Sequence, residues 1–143
     1  MSGLGRNVLL VGFVILLAGC SRDPAVLSVN SPRARPAEQG MNSAIYMQIQ
    51  NGPSADSLIG ASSDAARVVQ LHRTTIDPDG KTSMKQQDRI DLSPGQNLEL
   101  EPGGYHIMLI DLNQPLIVGT SIDLTLLFED EGELHVKVPV VGN

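Results

Sequence analysis

A chain of 143 residues has room for one domain around a single modest apolar core. Its formal charge of −6 argues against nucleic acid as a partner, because phosphate binding needs concentrated Lys and Arg. Trp is absent and aromatics are scarce, so Val, Leu and Ile must build the core, a composition that favours strands.

The N-terminal segment differs from the rest. Arg6 is its only charged residue, and Val8 to Ala18 is almost unbroken apolar. That run is too short for an ordinary membrane-spanning helix and has the length of a signal-peptide core. Leu17-Ala18-Gly19-Cys20 follows. These four residues resemble the lipobox of bacterial lipoprotein precursors. The resemblance implies a signal peptide over residues 1–19, a lipidated Cys20 with a short tether over 20–24, and a domain over 25–143. Cys20 is the only cysteine, so once lipidated it leaves no free thiol and no disulfide. Without Arg6, nine of the ten basic residues remain against sixteen acidic ones, a balance of −7.

Ala25 to Asn30 reads as a short first strand. Pro32-Arg33-Ala34-Arg35-Pro36 and Glu38-Gln39-Gly40 then read as an irregular connection, because proline cannot donate to a ladder. Ser43 to Gln50 alternates as a strand should and ends at the turn Asn51-Gly52-Pro53. Asp56 to Ala61 and Arg67 to His72 are further strands. Arg73 to Lys85 reads as a flexible, hairpin-like excursion about Asp77-Pro78-Asp79-Gly80. Asp88–Leu92, Gln96–Leu100, Tyr105–Asp111, Ser121–Glu129 and Leu134–Val140 complete the set. Short strands at this spacing, with turn signals between them and no helical pattern, predict an all-β antiparallel sandwich or barrel.

His106-Ile107-Met108 is the group with the most chemical content. Residues two apart on a strand share a face, so His106 and Met108 project together while Tyr105, Ile107 and Leu109 point the other way. An imidazole beside a thioether is half a site for a soft metal. A second such pair is His72, at the end of its strand, and Met84, beyond the Asp77–Gly80 turn. Met84 lies among Lys81, Thr82, Ser83, Lys85, Gln86 and Gln87, a setting where a core methionine is unexpected.

Other candidates read as bland. His135 alternates away from Leu134, Val136 and Val138 and is expected to face solvent. Met47, beside Ile45 and Tyr46, is expected in the core; Met41 has no evident role. The run Glu129-Asp130-Glu131-Gly132-Glu133 lacks the alternating oxygen ligands of a calcium loop and reads as a solvated turn. There is no Gly-x-Ser-x-Gly elbow, His-Glu-x-x-His or phosphate-binding glycine loop, so no enzyme chemistry has a carrier.

Eleven residues separate His72 from Met84, and twenty-one separate Met84 from His106-x-Met108. With Ala44-Ile45-Tyr46-Met47, Val69-Gln70-Leu71-His72 and Pro102-Gly103-Gly104-Tyr105 as flanks, this pattern resembles the periplasmic copper chaperones of the PCu(A)C type. The likeness runs from about Ala25 to Val140. The first interval is one residue longer than the family's usual one, and its loop carries fewer methionines.

The resemblance implies a cupredoxin-like β-sandwich of Greek-key type that holds Cu(I) through His72, Met84, His106 and Met108. It implies a monomeric copper chaperone in the bacterial envelope, lipid-anchored and facing the periplasm. Its recipient would be the copper-accepting subunit of a haem-copper oxidase or a thiol-based copper assembly factor. A copper buffer with no dedicated recipient, or a structural envelope lipoprotein with incidental His and Met, are the alternatives. Thioether and imidazole ligands do favour Cu(I). A blue-copper electron carrier needs a cysteine thiolate, and the lone Cys20 sits in the lipobox.

Overall fold

The structure, a computed structural model, describes residues 26–142, so the leader, Cys20, the tether and Ala25 lie outside it. Ten strands follow in order: β1 (Ser28–Ala34), β2 (Ser43–Gln50), β3 (Asp56–Ser62), β4 (Ala66–Ile76), β5 (Thr82–Gln87), β6 (Ile90–Leu92), β7 (Asn97–Leu100), β8 (Tyr105–Leu112), β9 (Ser121–Phe128) and β10 (Glu133–Pro139). They form a six-stranded sheet, β1-β2-β7-β8-β4-β5, and a four-stranded sheet, β10-β9-β3-β6. Every named pairing is antiparallel except the contact of β7 with β8 at Leu100 and Tyr105. The expected all-β sandwich is the fold observed.

Alternation places the core. Ile45, Met47 and Ile49 of β2 and Ile107 and Leu109 of β8 turn inward from the larger sheet and are fully buried. Leu58 of β3 and Leu124, Leu126 and Phe128 of β9 meet them from the smaller sheet. Met47 is therefore a core residue, as its neighbours in sequence suggested.

Two elements depart from the sequence reading. The first strand runs from Ser28 to Ala34 and not from Ala25 to Asn30. Its register against β2 shifts between Asn30 and Arg33, and Ser31 takes a φ of 49°. Pro32 thus sits in a β-bulge of an edge strand, one of the few sheet positions where a missing N–H is tolerated. The excursion after His72 is a regular hairpin, with β4 and β5 paired from Leu71↔Gln87 to Ile76↔Thr82. Asp77 Oδ1 accepts from the backbone N–H of Asp79 (3.1 Å) and Lys81 (2.7 Å), closing its turn. Almost every β5 residue is exposed, which explains the missing apolar pattern.

Side chains fasten the loops at one end of the sandwich. Buried Asn51 donates to the carbonyls of Ser54 (2.8 Å) and Ser93 (2.9 Å) and accepts from Gly52 N–H (2.9 Å). Asp56 accepts from Ser57 N–H (2.7 Å) and, across the β9–β10 turn, from the N–H groups of Asp130 (2.9 Å) and Glu131 (3.1 Å). The acidic run is thus a turn held by a carboxylate. Burial alone would raise the Asp56 carboxyl, but the backbone donors outweigh it and hold the group below its ordinary 3.8.

A folded-state value below the unfolded one stabilises the protein above the carboxylate range, and the contribution is lost as pH falls through it. Asp56→Ala should cost about 1–2 kcal/mol at neutral pH. In urea titrations, the gap between parent and variant should narrow below pH 3.8. A gap independent of pH would mean that the charge on Asp56 contributes nothing.

Candidate metal centre

His106 and Met108 stand on the outer face of β8, because the intervening Ile107 is committed to the core. β4 supplies the next column: His72 lies directly opposite His106, and Gln70 opposite Met108. The two imidazoles are close, with ring centroids 5.7 Å apart at 60°. On the other flank Ala44 of β2 pairs with Met108, and the Tyr46 ring lies 6.4 Å from that of His106. His106 is only 4% exposed, although it faces away from the sandwich core.

Backbone geometry fixes the His106 ring. Pro102-Gly103-Gly104 turns the chain into β8, with Gly103 at a φ of 83° that favours glycine. The Gly104 carbonyl accepts from Thr74 N–H at 3.0 Å and lies 3.2 Å from His106 Nδ1. An Nδ1–H donated to that carbonyl leaves the Nε2 lone pair unspent.

His72 is held by its own strand. Its Nε2 lies 2.9 Å from Gln70 Oε1, while its Nδ1 is buried with no hydrogen-bond partner. Burial, and then the proximity of His106, push the His72 imidazole below the ordinary histidine range. The neutral ring, which alone can ligate a metal, is the favoured form.

Met84 is less closely placed. Thr74 is its ladder partner, and Gln86 is that of His72, so Met84 shares the site's face but stands two residue pairs further along the hairpin. Along the strand direction it lies four residues from the Met108 row, about 13 Å. Its side chain is 56% exposed. A cleft of about 490 Å³ nonetheless has Met84, Met108 and His106 in its wall, with Tyr46, Thr74 and Pro102, while His72 does not line it. The structure therefore brings His72, His106 and Met108 together and leaves Met84 at the rim.

Among the described residues no three His, Cys, Asp or Glu side chains converge as metal ligands. Any ion held by the two imidazoles must find its remaining protein donors elsewhere, and Met108 sulfur is the neighbour on the same face. His135 belongs to β10 in the other sheet, exposed and 3.0 Å from Thr125 Oγ1, as its alternation suggested. Met41 is 62% exposed and does not line the cleft. Sequence reasoning missed Gln70 as a partner of the site. No spacing rule marks a glutamine two residues before a histidine.

The family model described as "Putative lipoprotein LpqE-like" matches residues 27–140. The chain belongs to this LpqE-like family, which is of the PCu(A)C type. It is similar to the putative lipoprotein Lxx21020 of Leifsonia xyli, with 34% identity over 80% of this chain and 69% of that one. An uncharacterized protein of Rickettsia prowazekii, RP573, is 33% identical over 84% of this chain and 70% of its own. The copper-bound PCuAC domain from PmoF2 superposes with a TM-score of 0.68 at 29% identity, covering 84% of this chain and 96% of that domain. The Cu(I) form of DR1885 from Deinococcus radiodurans gives 0.65 at 27% identity, covering 87% and 84%. The LpqE-like chain thus has the cupredoxin-like sandwich of PCuAC domains.

Proposed function

We propose that this LpqE-like protein is a copper chaperone that holds Cu(I) with His72, His106 and Met108 and recruits Met84 from the β4–β5 hairpin. One observation carries the reading: two facing imidazoles and a thioether share one sheet face, and a buried histidine nitrogen there has no protein partner. The donor set fits the ion. Thioether sulfur is soft and carries no proton, imidazole suits copper, and the site lacks the carboxylates that hard cations require. Membership of a PCu(A)C-type family and likeness to copper-bound domains support it further.

Met84 gives the site a means of release. A ligand at an exposed rim is the one that an incoming partner can displace first, while the buried His106 and the half-buried His72 hold the ion until exchange is complete. The recipient on this reading is the copper-accepting subunit of a haem-copper oxidase or a thiol-based assembly factor. The family description as a lipoprotein supports a chain processed after residue 19 and anchored in the bacterial envelope through Cys20, its domain facing the periplasm. Cys20→Ala should release the correctly exported protein from membranes, because one thiol supplies the attachment. Retention on membranes would refute the anchor.

The metal assignment is tested by competition. The mature protein should take up one Cu(I) per chain and keep it against an equal concentration of Zn²⁺, because sulfur makes up part of its donor set. Displacement by Zn²⁺ at similar concentration would overturn the reading.

A further inference from the structure

We infer that Gln70 is a positioning residue: it holds His72 in the Nε2–H tautomer, so that this histidine presents Nδ1 to the metal while His106 presents Nε2. The inference rests on the copper reading of the site and adds which ring atoms serve it.

The argument begins with what each ring nitrogen can satisfy. A neutral imidazole has one N–H and one lone pair. Gln70 Oε1 lies 2.9 Å from His72 Nε2 and can only accept, so Nε2 carries the hydrogen. The alternative would close the site to a metal. With the hydrogen on Nδ1, a buried donor would be left without an acceptor, which costs about 1–3 kcal/mol. Turning the Gln70 amide to donate into Nε2 would impose that same orphan. The Nε2–H tautomer pairs Nε2 with the Gln70 carbonyl and leaves on Nδ1 a buried lone pair that a metal ion can take up, whereas the Nδ1–H form would leave a buried donor that no metal can satisfy.

His106 is set the other way. Its Nδ1 faces the Gly104 carbonyl at 3.2 Å, which fixes the hydrogen there and leaves Nε2 as donor atom. A backbone carbonyl orients one histidine and a side-chain amide the other. The residues that direct the two rings therefore differ in how they can be tested. Gly104 acts through its main chain, whereas Gln70 can be replaced. Register puts half-buried Gln70 opposite Met108, on the outer face of the sheet, so the glutamine is not part of the apolar core.

Long-range ¹H–¹⁵N correlation spectra of the mature, ¹⁵N-labelled protein separate the tautomers without any metal. Apo His72 should show a protonated Nε2 and a bare Nδ1, and His106 the reverse. On adding Cu(I), the resonance that moves should be Nδ1 of His72 and Nε2 of His106. Gln70→Leu should blur the His72 tautomer and weaken Cu(I) binding about tenfold, the scale expected when an outer-shell partner is removed. Gln70→Glu, which keeps an acceptor, should restore both. A protonated Nδ1 in the apo protein, copper bound through Nε2 of His72, or a Gln70→Leu variant as tight as the parent would each overturn the inference. Failure of the parent to bind Cu(I) at all would instead remove the copper reading, and the apo spectrum distinguishes that case.

Discussion

His106→Ala should weaken Cu(I) binding by more than the roughly 10–100-fold typical of losing an outer-shell partner, because a donor atom itself is removed. His72→Ala should lose a comparable amount, since the two rings face each other across one ladder step. The methionines should differ. Met108 is fixed beside His106 by β8 before any metal arrives, whereas Met84 is 56% exposed on the paired hairpin and its free side chain must give up rotamer freedom to reach the ion. Met108→Ala should therefore weaken binding more than Met84→Ala. All four variants should keep the fold, because the core consists of the opposite faces of the same strands. Competition titrations with a Cu(I) chelator decide the order, with circular dichroism as the folding control. Equal losses at the two methionines would mean that the hairpin is as rigid a donor as β8.

Phe128→Ala should be the most damaging change to stability itself. The ring is 1% exposed at the end of β9, opposite Leu58 of β3 and facing the inner side of β2 and β8. Its removal should cost about 3–5 kcal/mol, the transfer free energy of the ring plus the cavity left behind. That is a large share of the 5–15 kcal/mol typical of a domain. Met47→Leu, by contrast, nearly conserves volume in the same core and should cost less than about 1.5 kcal/mol while leaving Cu(I) affinity unchanged. Urea unfolding monitored by circular dichroism measures both. A mild Phe128→Ala would show that the two sheets pack more loosely than the burial of their facing residues implies.

What could be read in advance follows burial. Ser43–Gln50 stands where its alternation put it, and Tyr105–Leu112 extends the expected strand by one residue, because each has a core-facing side that writes period two into the sequence. The hairpin after His72 is fully paired yet nearly all exposed, so nothing in its residues distinguishes a strand from a loop. Pro32 misled for a different reason. It excludes a regular ladder but not a bulge, and the bulge depends on β1 being an edge strand, a matter of topology that local sequence does not carry.

The site divides along similar lines. His106 and Met108 are legible as a pair because they lie on one strand. Their approach to His72 depends on the β4–β8 register, which periodicity could not give; the family resemblance implied only that these residues share one ion. Met84 shares the expected face but not the expected closeness; an interval one residue longer than the family's usual one accompanies its place at the rim. Gln70 acts only through the tautomer of its neighbour and leaves no trace in composition or spacing.

Copper K-edge X-ray absorption on the mature protein loaded with Cu(I) tests the central claim most directly. The spectrum should contain two imidazole nitrogens and two sulfurs. Met108→Ala should remove one sulfur while both nitrogens stay, and Met84→Ala should remove the other. A first shell of nitrogen and oxygen alone, or a sulfur signal untouched by both substitutions, would contradict a site built from these histidines and methionines.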